Sequence, residues 1–226
     1  MESTTNKPPF AGAIFDLDGT LINSIIFWDL FWKELGDKYA GIPNLKPDTE
    51  LELQVRTMLF SDVLALVKEI YNIPNSHQEL LDYFSDYVEK FYREVVEIKP
   101  GVLPFLDYLK ENKVPMCIAS ASSRNHIMIA AERCGLLPYF STILTCPEIG
   151  KGKDQPDIYD LALKTLGTPK DQTWVFEDSL LALTTAHNFG LKTVGVSDAG
   201  EPRQAEMQAL ADLYVAPGEG MDKFIV

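Results

Sequence analysis

Short apolar runs alternate with longer helical patterns along the second half of the chain. From residue 97 onward the runs are rich in Val, Ile, Phe and Trp, and the segments between them carry apolar residues at helical spacing. Strands that alternate with helices pair in parallel, with helices on both faces of the sheet. The pattern therefore predicts an α/β fold with a parallel sheet, whose strands we place at 13–15, 116–119, 143–145, 174–176 and 193–196.

The segment between the first two strands has a different pattern. Its apolar residues follow helical spacing at 25–39, 61–71 and 76–95, and none of it has the composition of a strand. Because it interrupts the strand–helix alternation, we predict two domains. Residues 1–21 and 97–226 form the α/β core, and residues 22–96 form an inserted all-helical domain. The aromatic residues of the insert are expected to pack in its interior: Phe27, Trp28, Phe31 and Trp32.

Composition restricts the classes of partner. The chain has 226 residues, 46% of them hydrophobic, and a formal net charge of −13. We expect no nucleic acid and no membrane partner, because both depend on Lys and Arg clusters that are missing here. The sequence shows neither an apolar run of about 18 residues nor an N-terminal signal core, which predicts a cytoplasmic protein, and we expect a monomer. Cys117, Cys134 and Cys146 lack metal-ligand spacing and are expected to be free thiols.

The first predicted strand ends on two aspartates. It reads Ala-Gly-Ala-Ile-Phe-Asp-Leu-Asp-Gly-Thr, so Asp16 and Asp18 share one side of an extended chain. Two neighbouring carboxylates repel each other unless a cation lies between them or one of them keeps its proton. A solvated Asp-Gly turn is the ordinary alternative. A calcium loop is excluded, because Leu21 and Phe27 stand where it needs Gly and Glu.

Polar residues also follow the other predicted strands, at the edge where ligands of open parallel sheets bind. Ser120-Ala121-Ser122 follows the second strand, Glu177-Asp178 follows the fourth, and Lys153 lies just ahead of a helix. Singly, these are ordinary helix caps, acidic first turns and surface lysines. Together, the carboxylates suit Mg²⁺, and the lysine, the hydroxyl and the turn amides suit phosphoryl oxygens. The set predicts a phosphoryl group held against Mg²⁺, which is the expected cofactor.

These residues resemble the ordered motifs of the haloacid dehalogenase superfamily, in the branch with a helical cap after the first motif. The motifs stand here as Asp16-Leu17-Asp18-Gly19-Thr20, Ser120, Lys153 and Glu177-Asp178, and the resemblance covers about residues 11–196. It implies a Rossmann-like core with an inserted helical cap. It also implies a Mg²⁺-dependent phosphatase that acts on the phosphate monoester of a small metabolite.

The resemblance assigns the chemistry to a few residues. Asp16 would be the nucleophile that becomes an aspartyl phosphate, and Asp18 would protonate the leaving alcohol and then activate water. Lys153 would neutralise the nucleophile and the phosphate. Thr20 and Ser120 would hold phosphoryl oxygens or orient Asp16, with the amide of Ala121 beside them. The implied metal ligands are the carboxylates of Asp16 and Asp178, the backbone carbonyl of Asp18, and Glu177 directly or through water.

The presence of an acid at position 18 indicates which class of reaction the family resemblance implies. A halide leaves without a proton, and the dehalogenating and phosphonate-cleaving branches resemble one another in lacking an acid here, so Asp18 favours phosphate esters. Two residues depart from the family pattern. Asn23 stands where an aspartate is common and is expected to alter the cap hinge. Asp154 replaces the usual proline after the motif lysine and is expected to weaken the pull of Lys153 on phosphate.

A sugar-phosphate mutase is the main alternative. The segment 119–122 is similar to that of the β-phosphoglucomutases, which need a second cationic site in the cap. Phe60 stands about where those proteins carry an arginine, and Arg56 is nearby but out of register, so we favour hydrolysis. A non-catalytic phosphate-binding module is a further alternative, disfavoured by the intact motif residues. Substrate specificity is expected to depend on residues of the insert, for which the candidates are Trp28, Lys33 and Arg56.

Overall fold

The chain forms two compact units in a computed structural model that describes residues 10–55, 58 and 60–226. One unit comprises Met1–Ser24 and Val96–Val226, and the other comprises Ile25–Val95. The insert therefore begins after Ser24 and ends at Val95, whereas the sequence pattern placed its boundaries at 21/22 and 96/97. No helix within the described part of the chain combines the length and the apolar character that crossing a membrane requires.

The first unit is built on a six-stranded sheet in which every neighbouring pair of strands is parallel. The strand order is β3-β2-β1-β4-β5-β6, so the first strand lies in the middle. The predicted parallel α/β fold is confirmed, and β6 is an additional strand that the pattern did not predict. The strands are β1 (Gly12–Phe15), β2 (Met116–Ser120), β3 (Thr142–Thr145), β4 (Thr173–Glu177), β5 (Lys192–Val196) and β6 (Leu213–Val215).

The described residues of the second unit contain helices and no strand. π-helical turns extend two of these helices, at Gly36–Ala40 and Phe91–Val95. The aromatic residues pack against one another inside the unit, as expected: the Phe31 ring lies 4.9 Å from Phe84 and 5.9 Å from Phe60, centroid to centroid. The helices are α1 (Ile26–Leu35), α2 (Thr49–Val55), α3 (Phe60–Ile70) and α4 (His77–Lys90).

Side chains on the two faces of the sheet belong to two separate cores, because successive residues of a strand point to opposite sides. Ile14 packs with Tyr159 and other buried residues on one face. Phe15 stacks on Phe176 at 4.4 Å on the other face, beside Phe105. The helices of this unit are α5 (Val102–Glu111), α6 (Arg124–Arg133), α7 (Cys146–Ile149), α8 (Asp157–Leu166), α9 (Leu180–Phe189) and α10 (Gln204–Leu210).

The cysteines are free, as expected. Cys117 and Cys146 belong to the buried core on the Ile14 face, and burial raises the pKa of the Cys117 thiol to about 12. A thiol with a raised pKa carries little thiolate at neutral pH and reacts slowly. Cys117 and Cys146 therefore act as small packing residues in this fold.

The two chain segments that lead to and from the helical unit pair with each other. Ile22 and Ile98 form an antiparallel bridge, the Asn23 amide donates to the Glu97 carbonyl at 2.8 Å, and the Lys99 amide donates to the Leu21 carbonyl at 2.9 Å. These hydrogen bonds lie within the first unit. They hold the two linking segments of the first unit, 21–23 and 97–99, against each other.

The N-terminus of α4 provides a test of local stability. Ser76 Oγ accepts the Glu79 amide at 3.2 Å, and the Glu79 carboxylate accepts the Ser76 amide at 2.8 Å, which is a capping box. We expect Ser76→Ala to lower the free energy of unfolding by about 1 kcal/mol. Ser85→Ala, at an exposed position inside the same helix, should change it by less than about 0.5 kcal/mol. Urea unfolding checks both variants, and an equal loss in both would contradict the capping role.

Candidate active site

The candidate site lies at the carboxyl edge of the sheet. Asp16 directly follows β1, Ser120 is the last residue of β2, and Glu177 is the last residue of β4. Because β1 lies between β2 and β4, the strand order itself places these three residues beside one another. All three are buried, and Asp178, which follows Glu177, is 9% exposed.

A tight turn presents the residues that follow Asp16. The Leu17 carbonyl accepts the amides of Thr20 and Leu21 at 3.3 and 2.9 Å, and Gly19 has a φ of +79°. A side chain at this glycine is excluded sterically as well, because its Cβ would lie 2.2 Å from an oxygen of Asp178. The turn is therefore packed directly against the carboxylate that follows β4.

The Thr20 hydroxyl contacts Asp178. It is fully buried and donates to Asp178 Oδ1 at 2.9 Å, whereas the motif placed it at phosphoryl oxygens or at Asp16. The left-handed turn at Gly19 brings Thr20 back toward β4, which accounts for this contact. Thr20 therefore orients Asp178 in this structure.

Lys153 joins the carboxylates of two strands. Its ammonium group donates to Asp16 Oδ1 and, at 2.5 Å, to Glu177 Oε1, and its side chain is 9% exposed. The lysine comes from the segment between α7 and α8, 137 residues after Asp16 in the chain. The structure thus brings together three residues that were predicted separately.

The charges at this edge are strongly coupled. Burial raises the pKa of Asp16 to about 8, with Lys153 acting in the opposite direction and Glu177 and Asp18 adding to the increase. Burial, followed by repulsion from Glu177 and Asp16, raises the pKa of Asp178 well above its ordinary value. Burial alone would lower the pKa of Lys153, but the carboxylates of Asp16 and Glu177 raise it well above the usual range. The site therefore holds more negative charge than its lysine neutralises.

This carboxylate cluster fits a hard divalent cation. Asp16, Glu177 and Asp178 each offer a ligand oxygen, and the three oxygens lie within 4.8 Å of one another. Oxygen ligands are those that Mg²⁺ prefers, and it is held in proteins by one or two carboxylates together with water and phosphate oxygens. A cation at this position would also offset the repulsion between carboxylates that, after burial, raises the pKa values of Asp16 and Asp178.

The carboxylate of Glu177 already accepts several hydrogen bonds. Its Oε1 accepts Lys153, and its Oε2 accepts the backbone amides of Asp178 and Ser179 at 2.9 and 3.2 Å. These contacts fix the turn that follows β4 and orient the lysine. A carboxylate has about four lone-pair sites, so Glu177 keeps less capacity for a metal than Asp16 or Asp178 does.

The two aspartates of the first motif have different surroundings. Asp16 belongs to the carboxylate cluster, whereas the partly buried Asp18 accepts a hydrogen bond from Ser122 Oγ at 2.6 Å on its Oδ2. Ser120 Oγ accepts the Ser122 amide at 3.0 Å, which leaves the Ser120 hydroxyl hydrogen to be donated. Ala121 lies exposed between these two serines.

Ser122 is a residue of the candidate site to which the motifs assign no role. It belongs to the segment that follows the second strand, but its position in the motif predicts no function for it. The only sequence signal was its place two residues after Ser120, on the same side of an extended chain. Its contact with Asp18 joins residues 104 positions apart, which the linear pattern does not contain.

The departures from the family pattern lie away from the Lys153 contacts. Asp154 is exposed, and its carboxylate accepts a hydrogen bond from the side-chain Nε2 of Gln155 at 3.5 Å. The side chain of Lys153, by contrast, points into the site. Asn23 is exposed, and its backbone amide takes part in the linker pairing described above.

Two of the three proposed specificity residues, Trp28 and Lys33, are among the described residues of the helical unit. Trp28 packs edge-to-face on Phe27 and Phe31, and the exposed Lys33 pairs with Asp37 at 2.6 Å. Arg56 lies outside the described residues.

Comparisons with known proteins agree with this fold. The chain is 24% identical over 208 residues to a phosphorylated carbohydrates phosphatase of Thermotoga maritima, covering 91% of this chain and 94% of the relative. It is 30% identical over 206 residues to a bifunctional riboflavin kinase/FMN phosphatase of Arabidopsis thaliana, covering 88% of this chain and 51% of the relative. A solved structure of a putative β-phosphoglucomutase from Thermotoga maritima has the same fold. Its TM-score is 0.79 at 22% identity, with 95% of this chain and 96% of that chain covered.

The family match covers the site. Residues 13–196 match the haloacid dehalogenase-like hydrolases, a range that includes Asp16, Lys153 and Asp178. The match extends over most of the 226 residues and confirms the resemblance drawn from the motifs. The chain therefore belongs to the haloacid dehalogenase-like hydrolase family.

Proposed function

We propose that this protein is a Mg²⁺-dependent phosphatase that hydrolyses the phosphate monoester of a small metabolite through an aspartyl phosphate on Asp16. The observation that carries the proposal is the buried Asp16 carboxylate, held by Lys153 beside the carboxylates of Glu177 and Asp178. Uncatalysed hydrolysis of phosphate monoesters is so slow that enzymes accelerate it by up to about 10²¹-fold. Covalent capture together with charge neutralisation divides such a barrier into smaller steps.

Asp16 is the nucleophile in this proposal. One of its oxygens attacks phosphorus, a bond forms between that oxygen and phosphorus, and the bond from phosphorus to the leaving oxygen breaks. Lys153 lowers the pKa of Asp16 against the effect of burial, and its hydrogen bond holds the carboxylate in place before the attack. It also lies close enough to neutralise charge on the transferring phosphoryl group, together with the Ser120 hydroxyl and the Ala121 amide.

Asp18 is the proton carrier. Its carboxylate is held by Ser122, outside the cluster formed by Asp16, Glu177 and Asp178. It gives its proton to the leaving oxygen as that oxygen departs. It then takes a proton from the water that attacks phosphorus and breaks the bond to Asp16. The separation of Asp18 from the cluster supports different roles for the two aspartates.

Mg²⁺ would be held by Asp16 and Asp178, with Glu177 as a further ligand directly or through water and the Asp18 carbonyl as the family implies. When bound, it supplies positive charge for phosphoryl oxygens as a Lewis acid. Thr20 holds Asp178 in the orientation that its role as a ligand requires, through the hydrogen bond at 2.9 Å.

The substrate class follows from the relatives and from charge. Relatives named as a phosphorylated carbohydrates phosphatase and an FMN phosphatase support a small phosphorylated molecule. The formal net charge of −13 disfavours a polyanionic macromolecule as substrate.

Hydrolysis is preferred to sugar-phosphate isomerisation because of Phe60. A mutase needs a second cationic group for a bisphosphate, and Phe60 stands about where the β-phosphoglucomutases carry an arginine. The Phe60 ring lies 6.0 Å from Phe27 and 5.9 Å from Phe31, so it belongs to the aromatic packing of the helical unit. Its surroundings are those of a packing residue.

The first test is phosphate release from 4-nitrophenyl phosphate with Mg²⁺. We expect release by the unchanged protein, and a loss of about three orders of magnitude or more in Asp16→Asn, because the nucleophile is removed. Asp160→Asn removes an exposed carboxylate that pairs with Lys164 and should retain activity. Absence of release by the unchanged protein, with Asp16→Asn behaving identically, would support the binding-module alternative.

The roles of the aspartates can be separated by metal affinity. We expect Asp18→Asn to retain Mg²⁺ affinity while turnover collapses by about 100-fold or more, because the side chain carries a proton rather than a ligand oxygen. Asp178→Asn keeps an acceptor for Thr20 but should weaken Mg²⁺ binding by about tenfold or more, because a ligand charge is lost. Calorimetric titration with Mg²⁺ measures both variants. An equal loss of affinity in the two would contradict the assignment.

The mutase alternative has its own test. The protein is incubated with β-glucose 1-phosphate, Mg²⁺ and a trace of the glucose bisphosphate, and glucose 6-phosphate is measured. We expect no glucose 6-phosphate, because the cap position that would need a cation holds Phe60. Formation of glucose 6-phosphate faster than phosphate release would overturn the preference for hydrolysis.

A further inference from the structure

Lys99 makes three hydrogen bonds at the point where the chain returns to the α/β unit. Its ammonium group donates to the Gly19 carbonyl, to the Ser197 carbonyl at 3.0 Å and to Asp198 Oδ2 at 2.6 Å. An ammonium group has three donors, so each of them has an acceptor here. The side chain of Lys99 is 15% exposed and that of Asp198 is 5% exposed. The pair is therefore largely removed from water.

One of these acceptors belongs to the turn that carries the first motif. Gly19 lies between Asp18 and Thr20, and its carbonyl is the atom that Lys99 holds. The other side of Gly19 packs against Asp178, close enough that a Cβ on the glycine would lie 2.2 Å from its carboxylate. The turn is thus fixed between Lys99 and Asp178, in addition to the Thr20–Asp178 hydrogen bond.

Asp198 is itself firmly held. Its Oδ1 accepts the Gly200 amide at 2.9 Å, and its backbone carbonyl accepts Gln204 Nε2 at 2.6 Å. Gln204 is the first residue of α10, and its Oε1 accepts a hydrogen bond from the hydroxyl of Tyr214 in β6. Lys99 therefore connects the motif turn to a frame made of β5, α10 and β6, none of which carries a residue assigned to the reaction.

We propose that Lys99 is a positioning residue for the reaction proposed above, holding the Asp18–Gly19–Thr20 turn in register with Asp178, and that Asp198 compensates its buried charge. The inference rests on the proposed phosphatase function. Lys99 fixes the peptide between the proton carrier and the threonine that orients Asp178. Its loss lets the turn shift relative to β4, and displacements of about 1 Å near reacting groups can reduce rates by about 100-fold.

A purely structural role is the alternative. Lys99→Met leaves the carboxylate of Asp198 buried and unpaired, which by itself destabilises a protein. The double variant Lys99→Met/Asp198→Asn removes both charges and keeps an amide oxygen to accept the Gly200 amide. This variant therefore relieves the unpaired charge without restoring the hydrogen bond to Gly19.

The experiment compares the unchanged protein with Lys99→Met, the double variant and Asp198→Asn. Lys192→Met is the matched control, because Lys192 pairs with Asp212 at 3.0 Å at the opposite end of β5. Thermal unfolding is measured for each, with kcat and KM on two substrates. Phenyl phosphate has a leaving group that needs a proton, whereas that of 4-nitrophenyl phosphate departs more readily without one.

We expect the double variant to unfold near the temperature of the unchanged protein and still to lose kcat by about 10- to 100-fold, with KM changed by less than about threefold. The loss should be about tenfold larger on phenyl phosphate, because displacement of Asp18 weakens protonation of the leaving group. Asp198→Asn, which keeps the bond from Lys99 to Gly19, and Lys192→Met should each keep kcat within about threefold.

Other results overturn the inference. If the double variant is stable and has the kcat and substrate ratio of the unchanged protein, Lys99 has only a structural role. If neither Lys99 variant folds, the pair is required for the fold and the positioning role is likewise rejected. If the unchanged protein releases no phosphate from either substrate, the proposed function fails first, which is a distinguishable outcome.

Discussion

The burial of several carboxylates around the ammonium group of Lys153 is the constraint on which this site depends. Asp16, Glu177 and Asp178 lie within reach of one another at the edge of the sheet, where burial raises the pKa of Asp16 and Asp178. Such an arrangement is unfavourable unless a cation and several hydrogen bonds compensate it. Lys153 supplies one positive charge. The three carboxylates fit a divalent cation, which would supply the remaining positive charge. The site is thus prepared for an anionic substrate only when its own excess charge is neutralised.

The parallel sheet makes this concentration of charge possible. With β1 between β2 and β4, three strand ends meet at one edge, and the apolar residues below them anchor each strand on both faces. Phe15 stacks on Phe176 in the layer directly beneath Asp16 and Glu177. The packing of the strands therefore fixes the separation of Asp16 and Glu177 more rigidly than a loop would.

Around the residues that act, a second set of residues holds them. Ser122 fixes Asp18, Thr20 fixes Asp178, and the backbone amides after β4 fix Glu177. Lys99 extends this set to the other side of the motif turn, where it also lowers the pKa of Asp178 against the effect of burial. These contacts account for how a short, glycine-containing turn can present Asp16 and Asp18, the proposed nucleophile and proton carrier, with separate surroundings.

The sequence by itself determined the parallel α/β class, the five strands from β1 to β5, and the family, because strand periodicity and the order of the motifs are local properties of the chain. It also identified Asp16, Lys153, Glu177 and Asp178, which the structure brings together. The short strand β6 and the contact of Thr20 with Asp178 did not follow from it. Neither did the roles of Ser122 and Lys99. Their partners lie 104 and 99 residues away, and only the folded sheet, which sets distances between strand ends, decides such pairings.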